Sequence, residues 1–252
     1  MKRVFRIEFK RGFYSAGFYV TIFLIVAAGV IGAGNVVEYI LNVGLLEGEI
    51  RFIAAIYQAI SSEAFTFVLP IACTLAMSAS YLEDLQSGIL HYIVVRTTKK
   101  RYCWSKILNC ALFGGLVIAI AVLLLLVIFF VAFPPNYEET QYFKTQNMRY
   151  LPYFLQRLIV LCLNGSFFSL LGGTIAAFTN NKYMAYAAPF IFYYVISTLL
   201  DAYHADLYLI NPKEWLMVRY SKPILVFVIL AAVNVIVTIC YSKIMERRCK
   251  NE

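Results

Sequence analysis

Six long apolar runs alternate with shorter polar segments along the chain. A helix needs about 20 residues to cross the ~30 Å hydrocarbon layer of a membrane, and each run meets or approaches that length. Pro70 lies inside the second run and predicts a kink there. The pattern predicts six transmembrane helices, over residues 13–37, 64–82, 107–133, 153–178, 183–200 and 223–241.

The first twelve residues alternate basic and apolar positions. Apolar side chains could dip into the headgroup layer while the cations meet lipid phosphate, so residues 1–12 predict an interfacial helix. A plain positively charged flank of the first span explains the pattern equally well. The basic residues of this segment are Lys2, Arg3, Arg6, Lys10 and Arg11.

Three polar connections are expected on the outer side. Residues 38–63 predict a connection with a short helix resting on the membrane, and residues 136–152 predict a loop. Residues 201–222 predict a larger connection that is rich in tyrosine and tryptophan, the side chains that favour the membrane interface.

Composition supports a membrane protein. Apolar residues make up 62% of the chain and charged residues only 14%, whereas a soluble domain has about 45–50% and about 25%. We therefore expect an all-α integral membrane protein with one transmembrane domain, residues 1–252. The six cysteines show no metal-ligand spacing, and none falls in a predicted outer segment, so we expect no disulfide bond.

Basic residues predict the orientation. Of the 22 lysines and arginines, 15 fall on the side that carries both termini and seven on the other. The positive-inside rule places both termini in the cytoplasm, with the protein in the plasma membrane. The net charge of +8 is explained by this bias and by contact with lipid, so no nucleic-acid partner is expected.

The sequence carries no motif of a known reaction. It has no phosphate-binding P-loop, no H-E-x-x-H and no G-x-S-x-G. Its two histidines, His91 and His204, fall on predicted opposite sides of the membrane. The fourteen acidic residues lie outside the spans or at their ends, which argues against a proton-coupled carrier. We expect neither an enzyme nor a cofactor or metal site in this chain.

Residues 83–106 form a charged segment between the second and third spans. Apolar residues between Leu82 and Ile93 recur at helical spacing, and Glu83 and Asp84 stand where a helix favours negative charge. The pattern predicts one helix from Leu82 to Ile93, near the membrane surface. A solvated loop whose cations fix the orientation is the alternative.

The segment resembles that of the type-two, exporter-type permease subunits of ABC transporters. Members often show an acidic residue, a glycine, hydrophobic residues, a basic residue and a lysine that leads into span three. The proline that usually precedes the basic residue is missing here, and Asn211-Pro212 resembles the family's outer connection before span six. By this resemblance the ATPase-docking residues are Glu83, Asp84, Gly88, His91, Arg96, Arg101 and Lys106.

The resemblance also implies partners. Two ABC ATPase subunits would bind ATP and Mg²⁺, and two permease chains would form a homodimer or heterodimer. Its seam would use the first and fifth spans, with Gly29 and Gly32 in the first. Spans without buried charge favour an amphipathic or lipophilic cargo, such as a peptide or drug. A membrane immunity or sensor component that binds some other cytoplasmic partner remains the alternative.

Overall fold

In the computed structural model, which describes residues 2–43, 51–134, 137–218 and 222–251, the described chain is almost entirely helical and contains no strand. The helices, in chain order, are α1 (Lys2–Phe13), α2 (Ala16–Gly32), α3 (Gly34–Val43), α4 (Arg51–Ser61), α5 (Glu63–Leu75), α6 (Ser80–Gln86), α7 (Ile89–Arg96), α8 (Lys99–Ala132), α9 (Tyr137–Thr179), α10 (Lys182–Tyr203), a 3₁₀ helix (Ala205–Ile210), α11 (Pro212–Met217) and α12 (Pro223–Asn251).

Several of these helices are long and apolar enough to cross a membrane. Five pass this test within the described residues, and a sixth span results if α1 and α2, which meet at 52°, count as one. The prediction of an all-helical chain is therefore confirmed, and five or six of its helices are long and apolar enough to cross a membrane, which is consistent with a multi-pass membrane protein. The five are Glu63–Gln86, Lys99–Ala132, Pro152–Thr179, Lys182–Tyr203 and Pro223–Arg248.

Helix α9 lies at the centre of the bundle and packs against α5, α8, α10 and α12. Its crossing with α8 depends on two glycines, since a Cβ on Gly114 would clash with the carbonyl of Gly165, and a Cβ on Gly165 with that of Gly114. The hydroxyl of Ser169 donates a hydrogen bond to the carbonyl of Cys110 at 2.9 Å. Small and hydroxylated side chains thus let the two backbones approach, as is typical of helices packed in membranes.

The connection between the first two spans differs from the prediction. The short helix found there, α4, packs against α2 and α8, and its Ala55, Ile56, Ala59 and Ile60 are buried in the core. The first apolar helix is also shorter than the predicted residues 13–37, because α2 ends at Gly32 and a separate helix, α3, begins at Gly34.

Two other boundaries differ. Much of the predicted outer loop, residues 136–152, is helical, because α9 already begins at Tyr137. Helix α8 begins at Lys99, eight residues before the predicted third span, and so includes residues 99–106 of the charged segment. The apolar pattern of the sequence predicted the apolar parts of α8 and α9 but not the polar residues by which each helix extends beyond them.

Candidate functional site

Five ionisable side chains of alternating charge form a continuous chain where α1, α6 and α8 meet. The ammonium of Lys106 lies 2.7 Å from Glu8 Oε2 and 2.7 Å from Asp84 Oδ2. The guanidinium of Arg11 contacts Asp84 and also lies 3.3 Å from Glu83 Oε2. We call this chain, from Glu8 through Lys106, Asp84 and Arg11 to Glu83, the ion cluster.

The centre of the ion cluster is buried. The side chain of Lys106 is 1% exposed and that of Asp84 0%. The hydroxyl of Tyr102 donates a hydrogen bond to Asp84 Oδ2 at 2.7 Å, and Lys106 donates to the carbonyl of Ser80 at 3.4 Å. A buried charge is tolerated only when it is paired and hydrogen-bonded, and both of these charges meet that condition.

Helix α1 delivers two members of the ion cluster because Glu8 and Arg11, three residues apart, lie on one face. The apolar side of α1 packs against α8. The ring centroids of Phe9 and Phe13 lie 5.3 and 5.2 Å from that of Phe113. A Cβ on Gly12 would clash with the same ring, so this approach needs a glycine. Helix α1 is therefore fixed to the protein over its second half.

The basic residues of α1 consequently differ in their surroundings. Arg6 and Lys10 are exposed, as an interfacial helix requires. Arg11 instead joins the ion cluster. The side chains of Lys2 and Arg3 lie outside the described residues.

The charged segment consists of two helices, and the predicted continuous helix from Leu82 to Ile93 is wrong. Helix α6 ends at Gln86 and α7 begins at Ile89, with Gly88 between them at φ 72°. That left-handed conformation favours glycine, because a side chain would be strained there. No atom lies within 4 Å of a Cβ placed on Gly88, so within the described chain the glycine serves the turn and not a close approach.

The seven predicted docking residues separate into groups. Glu83, Gly88 and Arg101 are exposed. Asp84 and Lys106 are buried in the ion cluster, and in this structure they cannot form part of a surface. The side chains of His91 and Arg96 lie outside the described residues. The sequence could not separate these groups, since a lysine at the start of a span is equally typical of a solvated flank.

Helix α7 exposes two of the apolar side chains whose spacing predicted the helix. Ile89 is 45% exposed and Tyr92 77%, while Leu90 is buried and Ile93 packs against the core. The turn at Gly88 changes the phase of the helix, so the spacing counted from Leu82 no longer applies to α7. We call the exposed face of this helix, which carries Ile89 and Tyr92, the α7 face.

The predicted outer connection, residues 201–222, contains a short helix inserted into the opposite end of the bundle. Helix α11 contacts α4, α5, α9 and α10, and its Leu216 is fully buried. Arg157 donates to the carbonyls of Met217 and Leu216, and Asn164 donates to that of Trp215 at 3.0 Å. The last carbonyls of the helix, which have no partner within it, are thereby satisfied.

The N-terminal end of α11 is also fixed. Asn211 accepts a hydrogen bond from the backbone of Lys213 at 2.9 Å and donates one to Asp201 at 2.6 Å. Pro212 occupies the first helical turn, where its missing N–H costs nothing. The pair Asn211-Pro212, noted in the sequence, therefore starts a helix that is anchored at both ends.

The two glycines predicted for a dimer seam are occupied within the chain. A Cβ on Gly29 would clash with Leu125 of α8, and one on Gly32 with the side chain of Ser62. The close approach that each glycine permits is therefore made within the chain, which argues against a seam formed by Gly29 and Gly32, although Gly32 is only half-buried. A third glycine, Gly34, meets no atom within 4 Å.

Among the described residues no group of histidine, cysteine, aspartate and glutamate has the arrangement of a metal site. Comparisons of the chain with family models, with curated proteins and with solved structures found no match.

Proposed function

We propose that the chain is the membrane-spanning permease subunit of an ATP-driven, type-two ABC exporter. It would lie in the plasma membrane with both termini in the cytoplasm, where 15 of its 22 basic residues would fall. Two separate ATPase subunits would bind ATP and Mg²⁺. The cargo would be amphipathic or lipophilic.

The α7 face carries this proposal. It lies outside the two neighbouring candidate spans, Glu63–Gln86 and Lys99–Ala132, yet it exposes the apolar side chains of Ile89 and Tyr92. Exposed Glu83 and Arg101 flank it with charges of both signs. An apolar pair on a short helix with a polar border suits insertion into a groove of a partner protein.

Transmission of motion requires that the docking segment be rigidly attached. Asp84, at the end of α6, is held by Arg11 of α1 and by Tyr102 and Lys106 of α8. A displacement of α6 and α7 by a partner would therefore act directly on α1 and on the start of α8. A solvated loop offers no such connection, and this supports a coupling role over the loop alternative.

The exporter would function as a homodimer or heterodimer of permease chains. With Gly29 and Gly32 occupied, the contact would use exposed apolar side chains of the first and fifth spans, among them Tyr19 and Phe23 of α2 and Tyr194 of α10. The membrane immunity or sensor role would use the same α7 face for a partner other than an ATPase, so the identity of that partner separates the two functions.

Purification of the tagged full-length chain from its native membrane, in mild detergent, tests the proposal. We expect a P-loop ATPase to co-purify, and we expect the double variant Ile89→Ala with Tyr92→Ala to lose it. The matched control is Tyr14→Ala, because Tyr14 is an equally exposed tyrosine, at the α1–α2 junction. Undiminished ATPase in the double variant would contradict docking through the α7 face, and a non-ATPase partner would favour the immunity or sensor role.

A further inference from the structure

A cavity of about 430 Å³ opens at the same end of the bundle as the ion cluster. It lies between three parts of the fold. These are the 52° bend between α1 and α2, the turns at residues 76–79 between α5 and α6, and the first turns of α10. Its volume falls within the range of about 300–1,000 Å³ that is typical of small-molecule sites. Its wall includes Arg11, Val20, Leu75, Met77, Glu83 and Tyr186.

The wall between α2 and α5 is tightly built. A Cβ on Gly17 would clash with the carbonyl of Leu75, so the two backbones are in direct contact there. Thr21 donates a hydrogen bond to the carbonyl of Ala72 at 2.9 Å, and Ser15 donates to that of Ala76 at 3.4 Å. On this side the cavity is therefore bounded by two closely packed backbones.

Charge determines what the cavity can accept. The ion cluster contains three carboxylates and two cations, so it carries a formal charge of −1. Lys106 already lies between Glu8 and Asp84, and Arg11 between Asp84 and Glu83. Glu83 is the last member of the ion cluster, and its side chain, 52% exposed, lines the cavity. The surplus negative charge is therefore accessible at Glu83.

The remainder of the lining is mainly apolar. Val20, Leu75 and Met77 supply aliphatic and thioether surface, and Arg11 and Glu83 are the only charged residues among the lining side chains that the structure describes. Arg11 is already bonded to two carboxylates, so it offers an added anion little. An apolar chamber with one carboxylate in excess is complementary to a cation on an apolar body.

We propose that this cavity binds an amphipathic cation, with its ammonium or phosphonium group against the carboxylate of Glu83 and its apolar body against Val20, Leu75 and Met77. The ammonium could come from a soluble amphiphile or from the headgroup of an amine lipid. Binding does not depend on the proposed function, whereas the identification of the bound cation as exported cargo rests on it.

Equilibrium dialysis of the purified full-length chain in neutral detergent tests binding without any partner. The probes are tetraphenylphosphonium and tetraphenylborate, which have nearly the same shape and opposite charge. We expect saturable binding of the cation and at least about tenfold weaker binding of the anion. Glu83→Gln should weaken cation binding about tenfold or more, because it removes the surplus charge and keeps the side-chain shape.

Two further variants make the test specific. Glu246→Gln removes a carboxylate of α12 that does not line the cavity, and it should leave cation binding unchanged. Val20→Trp, at a position 48% exposed, should fill the cavity without disturbing the core and should abolish binding of the cation. Equal affinity for the two probes, or wild-type cation binding in both Glu83→Gln and Val20→Trp, would overturn the proposal.

Competition identifies the source of the ammonium. Displacement of tetraphenylphosphonium by phosphatidylethanolamine, but not by phosphatidylglycerol, would assign the site to an amine lipid. Displacement by neither lipid would assign it to a soluble cation. Failure to bind the cation would overturn this proposal alone, while loss of the co-purifying ATPase would bear only on the proposed function.

Discussion

Replacement of Lys106 by methionine should destabilise the protein strongly, although the two side chains are similar in length and volume. The change removes the cation that lies 2.7 Å from both Glu8 and Asp84 and leaves the two carboxylates in place. Asp84 retains Arg11 and Tyr102, but no other cation pairs with Glu8 within the ion cluster. One buried negative charge is thereby left without compensation.

The magnitude follows from the burial of the pair. Removal of one partner of a buried ion pair costs about 3–5 kcal/mol, far more than removal of a surface partner. For a chain of this size each 1 kcal/mol lowers the melting temperature by about 2–4 °C. We therefore expect Lys106→Met to lower the melting temperature by roughly 10 °C.

Thermal unfolding in detergent, followed by the loss of helical circular dichroism, measures this effect. Lys100→Met is the matched control, because Lys100 is an exposed lysine at the start of the same helix, and it should shift the melting temperature by no more than about 2 °C. Addition of Glu8→Gln to Lys106→Met should recover part of the loss, since it removes the uncompensated charge. Equal melting temperatures for the Lys106 and Lys100 variants would refute the inferred role of the ion cluster.

Four substitutions at three glycines can be compared by the same thermal assay. Gly88→Val should cost about 1–2 kcal/mol through backbone strain at positive φ, while Gly88→Asn should be tolerated better, and equal stability of the two would contradict the left-handed turn. Gly32→Leu should destabilise the chain itself through its clash with Ser62, whereas Gly34→Leu should not, because Gly34 meets open space. A Gly32→Leu variant of wild-type stability that fails to dimerise would instead support the predicted seam at Gly32.

Apolar periodicity predicted the helical class and most of the long helices, because the hydrocarbon layer imposes a minimum length on every span. The clearest example is the third predicted span, which lies within α8 and is the most apolar of the candidate spans. Periodicity failed where helices are held by the protein itself. Helix α4 reads as an amphipathic surface helix, yet its apolar side packs on α2 and α8.

The ion cluster was beyond sequence reasoning for a related reason. Glu8, Asp84 and Lys106 are far apart in the chain, and each stands near a predicted span end, where a solvated charge is the ordinary outcome. Only the fold shows that the three meet in a buried position. The turn at Gly88, by contrast, had a signal in the sequence, since a glycine inside a helical pattern can mark its interruption. Gly88 was interpreted only as a docking residue, so the turn was not predicted.

Docking to an ATPase requires the α7 face and the ion cluster to lie on the cytoplasmic side of the membrane. Lys100→Cys and Lys213→Cys, each in a variant without other cysteines, place one thiol near the start of α8 and one on α11, at opposite ends of the bundle. A membrane-impermeant maleimide applied to intact cells should label the Lys213→Cys variant, and it should label the Lys100→Cys variant only after the membrane is opened. Labelling of Lys100→Cys in intact cells, with Lys213→Cys protected, would place the α7 face outside and contradict the account.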